Sequence, residues 1–150
     1  MNPERSSADR ALELARKRPF DAQAYTVRGL ESPADLARLR DGLVAFYEPI
    51  DAVELFAVEH IALAKLSLSR CARIEAGLIA LAAQGRLDAD SSRPGKSSTM
   101  ETFRRYQTGA ERIYRNAIRG FLLLRGAKRR AGKSSQAARG STLPPSYPIH

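Results

Sequence analysis

Residues that carry redox, metal-binding or nucleophilic chemistry are scarce in this sequence. It contains one cysteine, Cys71, and two histidines among its 150 residues. A lone cysteine cannot form a disulfide within the chain, and the sequence opens with charged residues, so we expect a reduced, cytoplasmic protein. Gly-rich phosphate loops, Gly-x-Ser-x-Gly elbows and Cys-x-x-Cys pairs are also missing from the sequence. We therefore expect no enzyme activity, no cofactor, no metal site and no small-molecule substrate.

Long uncharged apolar runs and alternating strand-like runs are absent as well. The most apolar region, residues 53–83, is interrupted by more charge than a membrane-spanning helix would tolerate. Its charged residues are Glu54, Glu59, Lys65, Arg70, Arg73 and Glu75. The sequence therefore predicts an all-α fold with no membrane partner.

Acidic residues are rare in the last third of the chain. The formal net charge is +9, yet residues 1–50 and residues 51–100 each contain equal numbers of basic and acidic side chains. Residues 101–150 contain eleven basic side chains and only two acidic ones, which accounts for the whole excess. Such a concentration of positive charge indicates an anionic partner without identifying it.

Helix signals and composition divide the chain into three parts. Residues 1–30 are expected to be loosely ordered, with a possible short helix over residues 7–17. Residues 31–126 should form a helical domain. Residues 127–150 are dominated by Lys, Arg, Ser, Gly and Pro and lack an apolar period, so we expect a disordered basic tail.

The helical domain is predicted to begin with a short helix over residues 34–47. Ser32 can accept a backbone N–H as the N-cap, and Pro33 suits the first helical position. Pro49 should stop the helix, because the residue before a proline is pushed out of the α region. The predicted buried stripe contains Leu36, Leu39, Leu43 and Phe46.

Two long helices are predicted to follow. Asp51 and Glu54 have capping-box spacing, and the helix that they start should end near Gln84. After a loop rich in Gly, Pro and Ser, a second helix should run from Met100 to about Arg125. Long helices joined by a loop of this kind favour an antiparallel hairpin.

The long helices carry more apolar positions than one hairpin can bury. The first helix has one line through Val53, Ala57, Ile61, Ala64, Leu68, Cys71, Leu78 and Ala82, and a second through Val58, Leu66, Ile74 and Leu81. The predicted inner face of the second helix contains Met100, Phe103, Tyr106, Ala110, Ile113, Ala117, Phe121 and Leu124. Since the short helix cannot cover the surplus, we predict a homodimer.

Two segments together resemble a known sequence pattern over roughly half of the chain. The first reads LESPADLARLRDGLVAFYEPIDAVELFAVEHIALAKLSLSRCARIEAGLI and the second reads RRYQTGAERIYRNAIRGFLLLR. They resemble an uncharacterised family of small bacterial all-helical proteins with a closing Arg-Tyr-Glu, Glu-Arg, Tyr-Arg-Ala helix pattern. The chain departs from that pattern at Val27-Arg28-Gly29-Leu30, where the family often has a histidine, and it lacks the tryptophan common in the long helix. The resemblance implies a helical fold and no established activity.

Arginines follow one face of the second long helix. Steps of three and four residues separate Arg105, Thr108, Arg112, Arg115 and Arg119. Such a face could contact a phosphate backbone. The alternative is an ordinary solvent-exposed face whose arginines pair with acids of the first long helix, such as Glu54, Glu59 and Glu75.

The basic tail extends the positive charge beyond the predicted helix. Its basic residues are Lys128, Arg129, Arg130, Lys133 and Arg139. Flexible basic arms often hold nucleic acid through its phosphates without reading sequence, although such a tail can also serve only solubility.

Other residues suited to chemistry have simpler interpretations. Phe103, Tyr106 and Tyr114 could stack on bases if exposed, but the spacing of Phe103 and Tyr106 on the apolar face favours core packing for these two. His60 has Ala57 three residues before it, so the Glu-x-x-His pattern of a bundle metal site fails. Cys71 lies on the apolar line and is expected to be an inert buried thiol.

These observations favour a non-catalytic nucleic-acid-binding accessory protein that contacts phosphates through the basic helix face and tail. The second hypothesis is a helical protein–protein interaction or scaffold module with an incidental basic face. Arginines that form a contiguous, unpaired strip favour the first hypothesis, and arginines paired with Glu54, Glu59 or Glu75 favour the second. A peripheral membrane role is less favoured, because the tail lacks an apolar face.

Overall fold

The computed structural model describes residues 6–86 and 99–140, with the side chains of the last helix described through residue 132. Within these ranges the chain forms five α-helices and no strand, which confirms the predicted all-α class. The helices are α1 Ser7–Lys17, α2 Ala22–Tyr25, α3 Pro33–Tyr47, α4 Ala52–Ala83 and α5 Thr99–Gly140. In this part of the chain, no helix has the length and apolar character needed to cross a membrane.

Helix α4 begins at the predicted cap. The Asp51 carboxylate accepts the backbone N–H groups of Val53 and Glu54, at 3.0 and 2.9 Å. The Glu54 carboxylate reaches back and accepts the backbone N–H of Ile50, at 3.2 Å. These bonds satisfy donors that a helix start otherwise leaves unpaired, and an N-cap of this kind stabilises a helix by about 1 kcal/mol.

Helix α3 also begins at the predicted residue, but its cap differs from the prediction. Ser32 is the N-cap and Pro33 follows it, yet the Ser32 hydroxyl makes no capping hydrogen bond with the residues that the structure describes. The Ser32 backbone carbonyl accepts the N–H groups of Asp35 and Leu36 instead, at 3.1 and 3.2 Å. The Leu36 bond is the ordinary first bond of an α-helix, and the Asp35 N–H, which an N-cap hydroxyl could have bound, is satisfied by the carbonyl.

The buried side of α3 follows a four-residue step instead of the predicted apolar stripe. Leu36, Arg40 and Val44 are buried, whereas Phe46 is 77% exposed. The prediction that Phe46 is buried is therefore wrong. Helix α3 packs on α1 and α4 along the row i, i+4, i+8, and this row includes an arginine that apolar patterning does not detect.

Helices α4 and α5 pack along each other. Phe121 of α5 lies in a buried cluster with Leu55 and Ile61 of α4, to which α1 and α3 also contribute side chains. Farther along α4, Cys71 packs with Phe103 of α5. Full burial of a side chain such as Phe121 stabilises the folded chain by about 1.5–3 kcal/mol.

A partly buried ion pair attaches the segment before α3 to the middle of α4. The Arg70 guanidinium donates to both oxygens of Glu31, at 2.6 and 2.8 Å, and to the backbone carbonyl of Tyr25, at 2.5 Å. The bond from Arg70 lowers the pKa of Glu31, and the same bond raises the pKa of Arg70. Tyr25, which belongs to the residues 1–30 that we expected to be loosely ordered, is therefore held on α4.

Helix α5 continues to Gly140, beyond the predicted end near Arg125 and into residues 127–150 that were predicted to be a disordered tail. No proline interrupts residues 99–140, and the alanines, lysines and arginines after Gly126 are good helix formers. Lys128 also bonds to the start of α4, which anchors the extension. Residues 141–150 of the expected tail, and residues 87–98 of the expected loop, lie outside the described residues.

Candidate functional site

Helix α5 turns one side towards α4 and the opposite side towards solvent. Its buried residues include Phe103, Ala110 and Phe121. Arg105, Arg112, Arg115 and Arg119, here called the arginine face, are all exposed. At about 100° per residue, the arginine face lies roughly half a turn around the helix from the buried row. From Arg105 to Arg119 it extends about 21 Å along the helix axis.

The arginine face has few acidic partners. Arg105 Nη2 pairs with Glu101 Oε1 of the preceding turn, at 3.0 Å, and Arg115 Nε donates to the backbone carbonyl of Glu111, at 3.4 Å. In the part of the chain that the structure describes, no ion pair joins Arg112, Arg115 or Arg119 to a carboxylate. Exposed pairs one helical turn apart contribute only about 0.3–0.5 kcal/mol. The Arg105 pair could therefore exchange its acid for another anion at little cost.

Glu59, the first acid that the alternative interpretation needed, pairs with other arginines. Its side chain is only 7% exposed, and Arg40 donates to Oε1 from Nε at 3.0 Å and from Nη2 at 2.7 Å. Arg18 Nε lies 3.3 Å from Oε2. Arg40 Nη2 also donates to the Ala15 carbonyl, at 3.0 Å, and the guanidinium lies over the Phe20 ring. This buried cluster joins α1, α3 and α4.

Glu54 also forms ion pairs with cations outside the arginine face. Its side chain is 1% exposed, and it pairs with Arg125 Nε at 3.3 Å and with Lys128 Nζ at 3.4 Å. Arg125 also donates to the backbone carbonyls of Tyr47 and Glu48 at the end of α3. Glu75, the third acid considered, is exposed on α4 and forms no ion pair among the described residues. The predicted pairing of these acids with the arginine face therefore does not occur in the described part of the chain.

Lys128, a predicted phosphate ligand of the tail, is an internal contact of the fold. Its ammonium group donates to Asp51 as well as to Glu54. The hydrogen bond from Lys128 is the main reason that the pKa of Asp51 is lowered, and the bond to Asp51 is the main reason that the pKa of Lys128 is raised. Lys128 therefore links the C-terminal half of α5 to the cap of α4.

The variant Lys128→Ala should unfold at lower urea concentration than the wild type at neutral pH. The pKa of Asp51 is lower in the folded protein, so the ion pair of Asp51 with Lys128 stabilises the fold at pH values above the pKa of Asp51 in the unfolded chain. This stabilisation is lost as the pH falls through the pKa of Asp51 in the folded protein. Because the folded pKa of Lys128 is raised, the contribution is also lost as the pH rises through that value.

Urea denaturation followed by circular dichroism over a pH series tests this expectation. The two stability curves should converge at both extremes of pH. Lys65→Ala, which removes an exposed lysine of α4, is the control and should change stability little. A constant gap between wild type and Lys128→Ala at all pH values would contradict the assigned pair.

The other tail residues lie on helix α5. Arg129 and Arg130 are exposed, and Arg130 Nε donates to the Gly126 carbonyl at 3.3 Å. Arg130 follows Arg119 by eleven residues, about three helical turns, so it continues the arginine face. The backbones of Lys133 and Arg139 belong to α5, and their side chains lie outside the described residues.

The aromatic predictions are confirmed for one residue and wrong for another. Phe103 is buried, whereas Tyr106 is 46% exposed, because it lies at the edge of the face that contacts α4. Tyr114 is partly buried against the main core cluster. Ile113, also predicted on the inner face, is 51% exposed.

Cys71 lies in the core as predicted, and His60 lies on the surface. Cys71 is buried, and burial raises the pKa of its thiol, which disfavours the reactive thiolate. His60 is exposed on α4. Among the described residues, no group of three His, Cys, Asp or Glu side chains is placed to hold a metal ion.

An open apolar groove between α4 and α5 was not predicted. Its volume is about 480 Å³, and it is lined by Phe56, Ala57, His60, Ile113, Asn116, Ala117, Gly120 and Phe121. The periodicity of each helix identified apolar residues, but it could not show that α1 and α3 leave this side of the pair uncovered. In the sequence, only the surplus of apolar positions on the two long helices indicated that an apolar surface would remain exposed.

Comparison with known proteins finds no relative of this chain. No protein-family model, curated protein or solved structure matches the chain. The resemblance described above therefore assigns no family.

Proposed function

We propose that this protein is a non-catalytic nucleic-acid-binding accessory protein whose arginine face contacts phosphates. One observation carries the proposal: the arginine face is exposed, while buried Glu54 and Glu59 pair with other cations. Guanidinium groups bind phosphate oxygens with paired, charge-assisted hydrogen bonds. Arg105 pairs with Glu101, but Arg112, Arg115 and Arg119 form no ion pair with a carboxylate among the described residues, and a group of exposed guanidiniums of this kind attracts a polyanion.

The dimensions of the arginine face suit a phosphate backbone. Its length of about 21 Å corresponds to the rise of roughly six base pairs. Arg130 extends the same side of α5 by about three further turns. Contacts of this kind position a protein on nucleic acid without reading base edges, so we expect little sequence preference.

Fluorescence anisotropy of a labelled duplex and a labelled single strand, titrated with the full-length chain, tests this function. With about four phosphates neutralised, affinity should fall roughly a hundredfold between about 50 and 200 mM salt. Unrelated sequences should bind with similar affinity. Absence of binding to either probe at low salt would reject the proposal.

The second candidate function is a helical interaction or scaffold module with an incidental basic face. The observation in its favour is the apolar groove between α4 and α5, with Phe56 56% and Ile113 51% exposed. Binding of a protein in the absence of any nucleic-acid affinity would favour this function over the first.

For the architecture, we propose an antiparallel hairpin of α4 and α5, completed as a homodimer. Two contacts support opposite helix directions: Arg125, late in α5, pairs with Glu54, early in α4, and Phe103, early in α5, packs with Cys71, late in α4. The exposed apolar groove between α4 and α5 supports association.

A further inference from the structure

The α4–α5 groove belongs to a larger exposed apolar surface. Val53 lies one helical turn before the groove residue Phe56, and Leu123 lies one turn after the groove residue Gly120. Val53 is 58% exposed and Leu123 is 61% exposed. Val53 extends the apolar side beyond the groove, whereas Leu123, eleven residues after Arg112 and seven after Asn116, lies where the apolar side borders the arginine face. We call the groove residues together with Val53 and Leu123 the apolar face.

The large side chains at the rim of the apolar face remain exposed in the described parts of the chain, although Phe121 is buried and the Arg18 guanidinium lies over the Phe56 ring, 5.2 Å from its centroid. Helices α1 and α3 pack with α4 and α5 in a cluster that includes Val44, Leu55 and Phe121, and only Phe121 of these also lines the groove. Phe56, Ile113 and Leu123 are each more than half exposed, so the chain's own helices do not bury them. Burial of these side chains against a partner would be favourable.

Gly120 supplies a second, independent feature of this face. It lies within α5, away from the helix ends, and a Cβ added there would meet no atom within 4 Å. Glycine inside a helix costs about 1 kcal/mol relative to alanine. Gly120 is not one of the glycines with positive φ, and nothing in the described fold requires it there. A glycine at the edge of an apolar groove does permit the close approach of another helix.

We propose that the apolar face binds the same face of a second copy of this chain, forming a four-helix interface from two α4–α5 pairs. The surface has the size that a dimer needs. Its large exposed side chains leave on the order of 400–500 Å² of apolar area in water, and the largest apolar patch of a typical monomer is ~300–600 Å². A stable interface buries about 800 Å² per partner, of which about 60% is apolar.

The charge distribution is compatible with this arrangement. The arginine face borders the apolar face on α5, so it would lie at the rim of the interface, where charged groups stay hydrated. Two copies that each carry a formal charge of +9 repel each other, and salt screens this repulsion. Dimerisation should therefore strengthen with salt, whereas nucleic-acid binding should weaken. The proposal does not depend on nucleic-acid binding.

Sedimentation equilibrium of the full-length chain at several salt concentrations tests the dimer. The wild type should sediment as a dimer at micromolar concentration, and more completely at higher salt. Gly120→Gln should raise the dissociation constant on the order of a hundredfold, because each copy places an extra side chain in a packed interface. The same substitution should not harm the monomer fold, since the added Cβ enters open space.

Gly77→Gln is the matched control, because Gly77 is an exposed, unobstructed glycine of α4 outside the groove. It should leave the dissociation constant unchanged. A second pair, Ile113→Gln and Ile79→Gln, repeats the comparison with exposed isoleucines inside and outside the groove. Circular dichroism checks that each variant retains the helical signal.

Two results would overturn the proposal. One is a monomeric wild type at high micromolar concentration in high salt, including the case in which the groove binds a different protein. The other is a dimer that both Gly120→Gln and Ile113→Gln leave unchanged. Neither result would affect the nucleic-acid proposal, because the anisotropy titration measures that property separately.

Discussion

Replacing Glu59 with alanine should lower the free energy of unfolding by about 3–5 kcal/mol, because it leaves buried Arg40 with only the exposed carboxylate of Asp41, whose Oδ1 lies 3.7 Å from Arg40 Nη1. Arg40 is 7% exposed and packs among α1, α3 and α4. A guanidinium in this position has lost most of its water, and the Ala15 carbonyl and the Phe20 ring cannot replace a carboxylate. Urea denaturation at fixed protein concentration measures the loss.

Glu75→Ala is the matched control for this prediction. Both residues are glutamates of α4, but Glu75 is exposed and has no ion-pair partner in the described residues. Its replacement should change stability by less than about 0.5 kcal/mol. Adding Arg40→Met to Glu59→Ala should recover part of the loss, because the uncompensated charge is removed. Equal effects of Glu59→Ala and Glu75→Ala would contradict the structural role assigned to the buried cluster.

The double variant Arg112→Ala with Arg119→Ala should lose most of the proposed affinity for nucleic acid. Each phosphate contact removed should reduce the slope of log affinity against log salt by about one, so the double variant should lose about two. Both residues are exposed, so the fold should be retained. Salt-dependent anisotropy of the same duplex for the variant and the wild type measures the difference.

A control with the same change of net charge separates site-specific contacts from bulk attraction. Arg16→Ala with Arg38→Ala removes two exposed arginines of α1 and α3. This variant should keep a salt slope close to that of the wild type, because neither arginine belongs to the arginine face. If the two double variants lose affinity equally, nucleic acid is attracted by net charge and the arginine face has no special role.

Helix boundaries were the most predictable part of the fold. The starts of α3 and α4 were predicted correctly because Pro33 and Asp51 act locally, through fixed backbone geometry and side-chain capping. Helix α2 was missed because its four residues are too few to display a period. The end of α5 was misjudged because composition alone does not show that Lys128 contacts Asp51.

Which face of each helix is buried was less predictable. Arg40 occupies a core position that an apolar pattern assigns to leucine or valine, and the buried carboxylate of Glu59 on α4 compensates its charge there. Tyr106 and Ile113 fit the apolar period of α5, yet they lie at the edge of its contact with α4. Periodicity gives the direction of a stripe, but its width depends on neighbouring helices that the sequence does not locate.

Two groups of positive residues on α5 occupy different positions. Arg125 and Lys128 face α4 and compensate Glu54 and Asp51, so they stabilise the fold. The arginine face points away from α4. The charge excess of the last third of the chain therefore serves both the fold and, in our proposal, the binding of phosphates.

Crosslink mapping tests the central proposal most directly. The full-length protein would be crosslinked at low salt to a duplex that carries photoreactive groups, and the attached peptides identified by mass spectrometry. The account predicts crosslinks concentrated in the α5 segment from Arg105 to Arg119, which disappear as salt is raised. Crosslinks confined to α1 and α3, or none at all, would contradict it.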